Sequence, residues 1–288
     1  MAEISASDVV KLRKLSSQGM MDCKNALAEA NGDFDKAMEI LRKKGLATLA
    51  KRSERETTEG IVVCKIIDGG KTAILSSLCC ETDFVANSDP FKAAAEKLAE
   101  YALACKADEG AENILQTGLD GKNFNVIVTE IASQTGEKIQ VGDYAKYRLN
   151  GPGLIGTYVH FNRKVGSMVQ IDTNDQAVGD SDSLKQAASD IAMHITATKP
   201  LALNKDGIDA KTIETEKSIY ADQVKNKPAN IVEKIVEGKL QKFFAENCLL
   251  QQQFVKDNTK TVADVINEAA NKASGKAAIT RFVRFAVG

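Results

Sequence analysis

Few side chains in this sequence could do chemistry near neutral pH. His160 and His194 are its only histidines. Neither stands with a serine or cysteine nucleophile in a recognisable motif, or in the H-E-x-x-H arrangement that holds zinc. His194 shares a helical stripe with Ala187 and Ile191, the placing of a structural histidine. The six cysteines, Cys23, Cys64, Cys79, Cys80, Cys105 and Cys248, form no C-x-x-C pair, and adjacent Cys79 and Cys80 point to opposite faces of a strand. They read as small buried hydrophobes in a reducing compartment. No catalytic residue, resident metal or cofactor is expected.

Two phosphate-binding patterns fail on their context. Gly70-Lys71-Thr72 ends like a P-loop, but Lys65 stands where the first glycine belongs and strand residues follow. Gly151-Pro152-Gly153-Leu154-Ile155-Gly156 has the letters of G-x-G-x-x-G, yet it leads into a strand around Tyr158 and opens no helix. A turn is expected at the first and a loop at the second, with no nucleotide at either. A third segment is out of keeping with a plain connection. Glu81-Thr82-Asp83-Phe84-Val85-Ala86-Asn87 sets a large aromatic among polar residues just before a helix start at Asp89-Pro90. Two readings stand: Phe84 plugs a local core, or it is displayed to a partner.

The elements that must position these residues are helices first, then strands. Ser7 is a candidate cap for a first helix, a second runs from Met20 to Asn31-Gly32, and Asp33 caps a third up to Gly45. Residues 1–50 thus form a three-helix module, and 51–59 a polar linker for which a helix is an alternative. From Gly60 the pattern turns to strands, with hairpins around Asp68-Gly69-Gly70-Lys71 and Asn162-Arg163-Lys164. Each hairpin leads through a polar loop into an Ala-rich helix, and residues 91–99 align with 184–192. A duplicated hairpin-plus-helix unit explains the shared order, against chance likeness of two Ala-rich helices. The loop of the later unit, near Asp172-Thr173-Asn174-Asp175, has no aromatic. The fold class is therefore α+β, with a first core unit at 60–140 and a second at 141–288. Lys227-Pro228 marks the turn of a helical hairpin at about 209–247, and Ile279 to Val287 alternates like a closing strand.

Whole-chain properties narrow the function. Lys and Arg number 38 against 39 Asp and Glu, and 5% of residues are aromatic. That leaves no global field or basic aromatic stripe for nucleic acid. No apolar run approaches the roughly 18 residues of a membrane span, and the start has no leader pattern. A cytoplasmic protein meeting a protein partner by shape is expected, without direct nucleic-acid or membrane binding.

Five motifs in order, Gly19-Met20-Met21-Asp22-Cys23-Lys24, Asn31-Gly32-Asp33, Glu81-Thr82-Asp83-Phe84-Val85, Ile191-Ala192-Met193-His194 with Lys199-Pro200, and Val236-Glu237-Gly238-Lys239, resemble the elongation factor Ts family. The resemblance spans nearly the whole chain. It implies a non-enzymatic guanine-nucleotide exchange factor that binds the GDP form of the GTPase elongation factor Tu, disturbs its magnesium site and promotes GDP release. It further implies that the first module is similar to a ubiquitin-associated domain, with Met20, Met21 and Lys24 as contacts. By the same resemblance Thr82, Asp83, Phe84 and Val85 dislodge the partner's magnesium, and Thr135, Gly136, His160 and Val255 meet the partner. Thr135 departs from the family's aliphatic residue there, and Lys256 stands where a Met is found. The alternative is an RNA- or ribosome-binding adaptor without exchange activity, with a hydrolase or transferase third.

Overall fold

Local capping chemistry shapes the first module. The computed structural model describes residues 4–16, 18–51 and 54–288. Helices α1 (Ala6–Ser16), α2 (Met20–Glu29) and α3 (Phe34–Lys51) enclose a small core of Leu12, Cys23, Ala26, Leu27, Ala37 and Leu41. Ser5, near the candidate Ser7, takes the capping role by accepting from Asp8 N at 3.1 Å. After α2, Asn31 and Gly32 adopt positive φ and Gly32 N donates to Leu27 O at 2.8 Å, a left-handed helix stop. Asp33 Oδ1 then accepts from Asp35 N and Lys36 N. Helix α3 continues past Gly45 to Lys51. One interior glycine costs about 1 kcal/mol, which the good helix formers around it outweigh.

The first sheet begins with β1 (Glu59–Ile67) and β2 (Thr72–Cys80), antiparallel in a register that runs from Glu59↔Cys80 to Ile67↔Thr72. Asp68, Gly69 and Gly70 all take positive φ in the turn, so Gly70-Lys71-Thr72 is hairpin chemistry. A one-turn helix α4 (Asp83–Ala86) and the long α5 (Asp89–Ala104) follow, and α5 covers the sheet with Phe91, Ala95, Leu98 and Ala102. Beyond α6 (Ala111–Gln116) and the short ribbon β3 (Gly118–Leu119) with β4 (Lys122–Asn123), helix α7 (Phe124–Thr135) packs on α5 and receives α3.

Strand β5 (Gln140–Arg148) then pairs antiparallel with β2, giving the order β1-β2-β5. Residues 141–148, expected with the second core unit, thus complete the first sheet. The strand is hard to read because Lys146 lies at a buried position. Its Nζ donates to Leu103 O at 2.9 Å and to Cys105 O, so the ammonium satisfies carbonyls at the end of α5.

The second sheet has β6 (Gly153–Val159) and β7 (Val165–Thr173), followed by a one-turn α8 (Gln176–Gly179) and a long α9 (Asp182–Thr198). The glycine-rich Gly153 to Gly156, expected as loop, is the first half of β6. A Cβ on Gly156 would stand 2.5 Å from Ala188 O, so this glycine lets α9 lie directly on the strand. Next come the helical arm α10 (Ala210–Val224) and α11 (Ala229–Asn247), then β8 (Gln253–Phe254), β9 (Asp257–Thr261) and α12 (Val262–Lys272). Finally β10 (Ala277–Ala286) pairs with β7, so the sheet order is β10-β7-β6. Val62, Leu75, Tyr147, Ile155 and Met168 form a cluster that joins the two sheets. Among the described residues no helix is long and apolar enough to cross a membrane.

Candidate functional site

The site is a single helical turn held by a carboxylate from another part of the chain. Thr82 caps α4, its hydroxyl accepting from Val85 N at 3.4 Å. Glu137 accepts from Glu81 N and Thr82 N, both at 3.0 Å, and from the Thr82 hydroxyl. Glu81 in turn accepts from Lys138 N at 2.6 Å and pairs with Arg55 at 3.2 Å. Gly136 makes this crossing possible: at φ 77 it ends α7 in the left-handed conformation and turns Glu137 toward the loop. Thr135 beside it is tied back to Ile131 O. Thr82–Val85 and Thr135–Gly136, far apart in sequence, are therefore brought near one another through Glu137.

The clamp fixes which way each side chain of the turn faces. Val85 and Ala86 are buried against the first core, while Thr82 and Asp83 are exposed and Phe84 is 87% exposed. The core-plug reading of Phe84 is overturned. The turn also exists in a second version. In α8 Asp175 caps through Ala177 N at 2.9 Å, Val178 is buried like Val85, and Ser181 bonds Val178 O at 2.7 Å as Ser88 bonds Val85 O. The residue at the place of Phe84 is Ala177, which is exposed. The turn of α8 forms without a phenyl ring, so the geometry of such a turn does not require one.

Residues 81–288 match the family profile described as "Elongation factor TS". Similar curated proteins include Elongation factor Ts of a Nitratiruptor species, 43% identical over 99% of this chain and 93% of its own length. Another is Elongation factor Ts of Chlorobium phaeobacteroides, 40% identical with full coverage of both chains. The chain belongs to the elongation factor Ts family. It is thereby a translation elongation factor.

The other residues that the elongation factor Ts resemblance points to sit on three separate elements. Met20, Met21 and Lys24 lie on the exposed side of α2, opposite the buried Cys23, Ala26 and Leu27. His160, just past β6, is half-buried, with Nδ1 3.0 Å from Asn162 Oδ1. Val255 is exposed at the β8–β9 turn, and its N–H donates to Nδ1 of the fully buried His194 at 3.2 Å. Nε2 of His194 therefore carries the proton and donates to Gln252 Oε1 at 2.9 Å. Both ring nitrogens are engaged in structure, and burial holds the pKa of His194 below its ordinary value. Burial pushes the thiols of Cys64 and Cys80 up to about 11 and about 12, so both stay protonated.

Sequence reasoning missed Glu137, Arg55 and Phe161. The signal for Glu137 is weak, an acid one residue after a helix-ending glycine. The signal for Phe161 is stronger: an aromatic beside the polar turn Asn162-Arg163-Lys164, where β6 has already ended at Val159.

Proposed function

We propose that this member of the family is a guanine-nucleotide exchange factor for elongation factor Tu, and not an enzyme. It docks on the GDP form, and the Phe84 ring enters a pocket of the GTPase beside the groups that hold magnesium. GDP then leaves and GTP replaces it. The observation that carries this reading is the exposure of Phe84 on a turn clamped by Glu81 and Glu137. A backbone held in this way presents the exposed aromatic from a fixed turn, which lowers the ordering cost of association. Asp83, exposed beside it, is available to hydrogen-bond the partner.

Met20, Met21, Lys24, Thr135, Gly136, His160 and Val255 supply further contacts, and the first module has the role of a ubiquitin-associated docking unit. The two sheets with their helices are related copies. Matching strand orders, the paired one-turn helices and the equivalent Val85 and Val178 anchors support this. The protein works in the cytoplasm.

Release of fluorescent GDP from elongation factor Tu, followed by stopped flow, tests the reading. Catalytic amounts of the chain are expected to accelerate release. Phe84→Ala is expected to lose about five- to a thousandfold, the range of an aromatic anchor worth ~1 to 4 kcal/mol. The loss should shrink when magnesium is chelated, because the step the ring assists is then already done. Unchanged GDP release with saturating wild-type protein would overturn the assignment.

A further inference from the structure

Phe161 is 89% exposed, as open to water as Phe84. No other aromatic side chain among the described residues is exposed. The fold does not need it: the corresponding turn of the first sheet is built from Asp68, Gly69 and Gly70. The β6–β7 turn that carries it is nevertheless firmly held. The His160 ring lies 4.3 Å from the Phe161 ring, and His160 is oriented by Asn162, whose Oδ1 also accepts from Lys164 N at 3.0 Å. Arg163 N donates to His160 O at 2.8 Å, closing the turn.

The turn is also bolted to the first sheet. Arg163 O accepts from Val62 N at 2.7 Å, Arg163 pairs with Glu96 of α5 at 2.8 Å, and Lys164 pairs with Glu59 at 2.7 Å. Glu59 is the β1 residue opposite Cys80, the last residue of β2 before the Phe84 turn. Both exposed rings thus stand on turns fixed to the same end of β1. A water-exposed aromatic fixed in place by its neighbours has the character of an interface anchor, and it is continuous with His160 of the docking surface.

We propose that Phe161, backed by His160, is a second aromatic anchor for the same GTP-binding partner, seated in an apolar pocket separate from the one that Phe84 enters. This rests on the exchange-factor reading. The two rings have different tasks: Phe84 acts on nucleotide release, whereas Phe161 holds the partner whether or not GDP is bound. An anchor used equally before and after release changes affinity and leaves the saturating rate alone.

The test compares wild type, Phe161→Ala, Phe161→Leu and Phe84→Ala by calorimetric Kd for elongation factor Tu, saturating GDP-release rate, thermal unfolding and sedimentation of the chain alone. Phe161→Ala is expected to unfold normally, to bind about five- to a hundredfold more weakly and to keep a saturating rate within about twofold. Phe161→Leu should recover part of the affinity, while Phe84→Ala lowers the saturating rate. A Kd for Phe161→Ala indistinguishable from wild type, with Phe84→Ala still impaired, would overturn this inference and leave the exchange reading intact. No partner binding by wild type would sink both. A wild-type dimer dissolved by Phe161→Ala would make a second copy the occupant and overturn the proposal as well.

Discussion

A phenyl ring held in water does little for the fold. Full burial of a Phe side chain is worth about 1.5 to 3 kcal/mol, and at 87% exposure Phe84 gains little of this. Phe84→Ala should therefore change stability by less than about 0.5 kcal/mol, whereas truncating the buried Phe91 should cost about 3 to 5 kcal/mol. Denaturant unfolding of both variants checks this, and strong destabilisation by Phe84→Ala would return the ring to the core. The sequence showed an aromatic out of place but not its direction, because Glu137, far along the chain, orients the turn. His194 gives a pH-dependent expectation. Burial holds its folded pKa below the ordinary 6.5, so between the two values the unfolded chain binds a proton that the native chain does not. Its contribution to stability is complete above about pH 6.5 and falls with the pH until the folded pKa is passed. His194→Gln should flatten the slope of unfolding free energy against pH in that window, and an unchanged slope would mean that the ring is not buried neutral.

The elements that sequence alone revealed are those set by local chemistry: the Asn31-Gly32 stop, the Asp33 cap and the Asp68-Gly69-Gly70 turn. Hidden were those whose meaning depends on a distant partner. Strand β5 carries a lysine at a buried place because the end of α5 offers it carbonyls, and Gly153 to Gly156 look like a phosphate loop although Gly156 admits α9. The α4 turn belongs to the same class, since Glu137 satisfies two of its backbone donors and a hydroxyl. Glu137→Ala should loosen the turn at a cost of about 1 kcal/mol, a typical net hydrogen-bond contribution at such a partly exposed place. Hydrogen exchange should show lost protection at Glu81 and Thr82, with slower partner GDP release, and Glu137→Gln should restore part of both. Wild-type release with the two amides unprotected would show that the ring need not be held.

At the scale of the molecule, two sheets share an inter-sheet cluster, while the N-terminal module has its own small core and leans on α7 through α3. Removing residues 1–50 should leave one cooperative transition for the remainder and weaken binding to the GTPase, as unfolding scans and calorimetry would register. Loss of cooperative unfolding would make the module part of the main core. A net charge of −1 gives the molecule no strong net field, so the proposed recognition of the GTPase is assigned to shape and to the placed rings. The central claim, that this chain loosens GDP from elongation factor Tu, has a thermodynamic mirror: GDP must loosen the chain by the same factor. The most direct measurement is the calorimetric Kd of the chain for nucleotide-free and for GDP-saturated elongation factor Tu. Exchange-factor function requires binding at least about tenfold weaker with GDP, each tenfold being about 1.4 kcal/mol of coupling. Equal affinity for the two forms would contradict it.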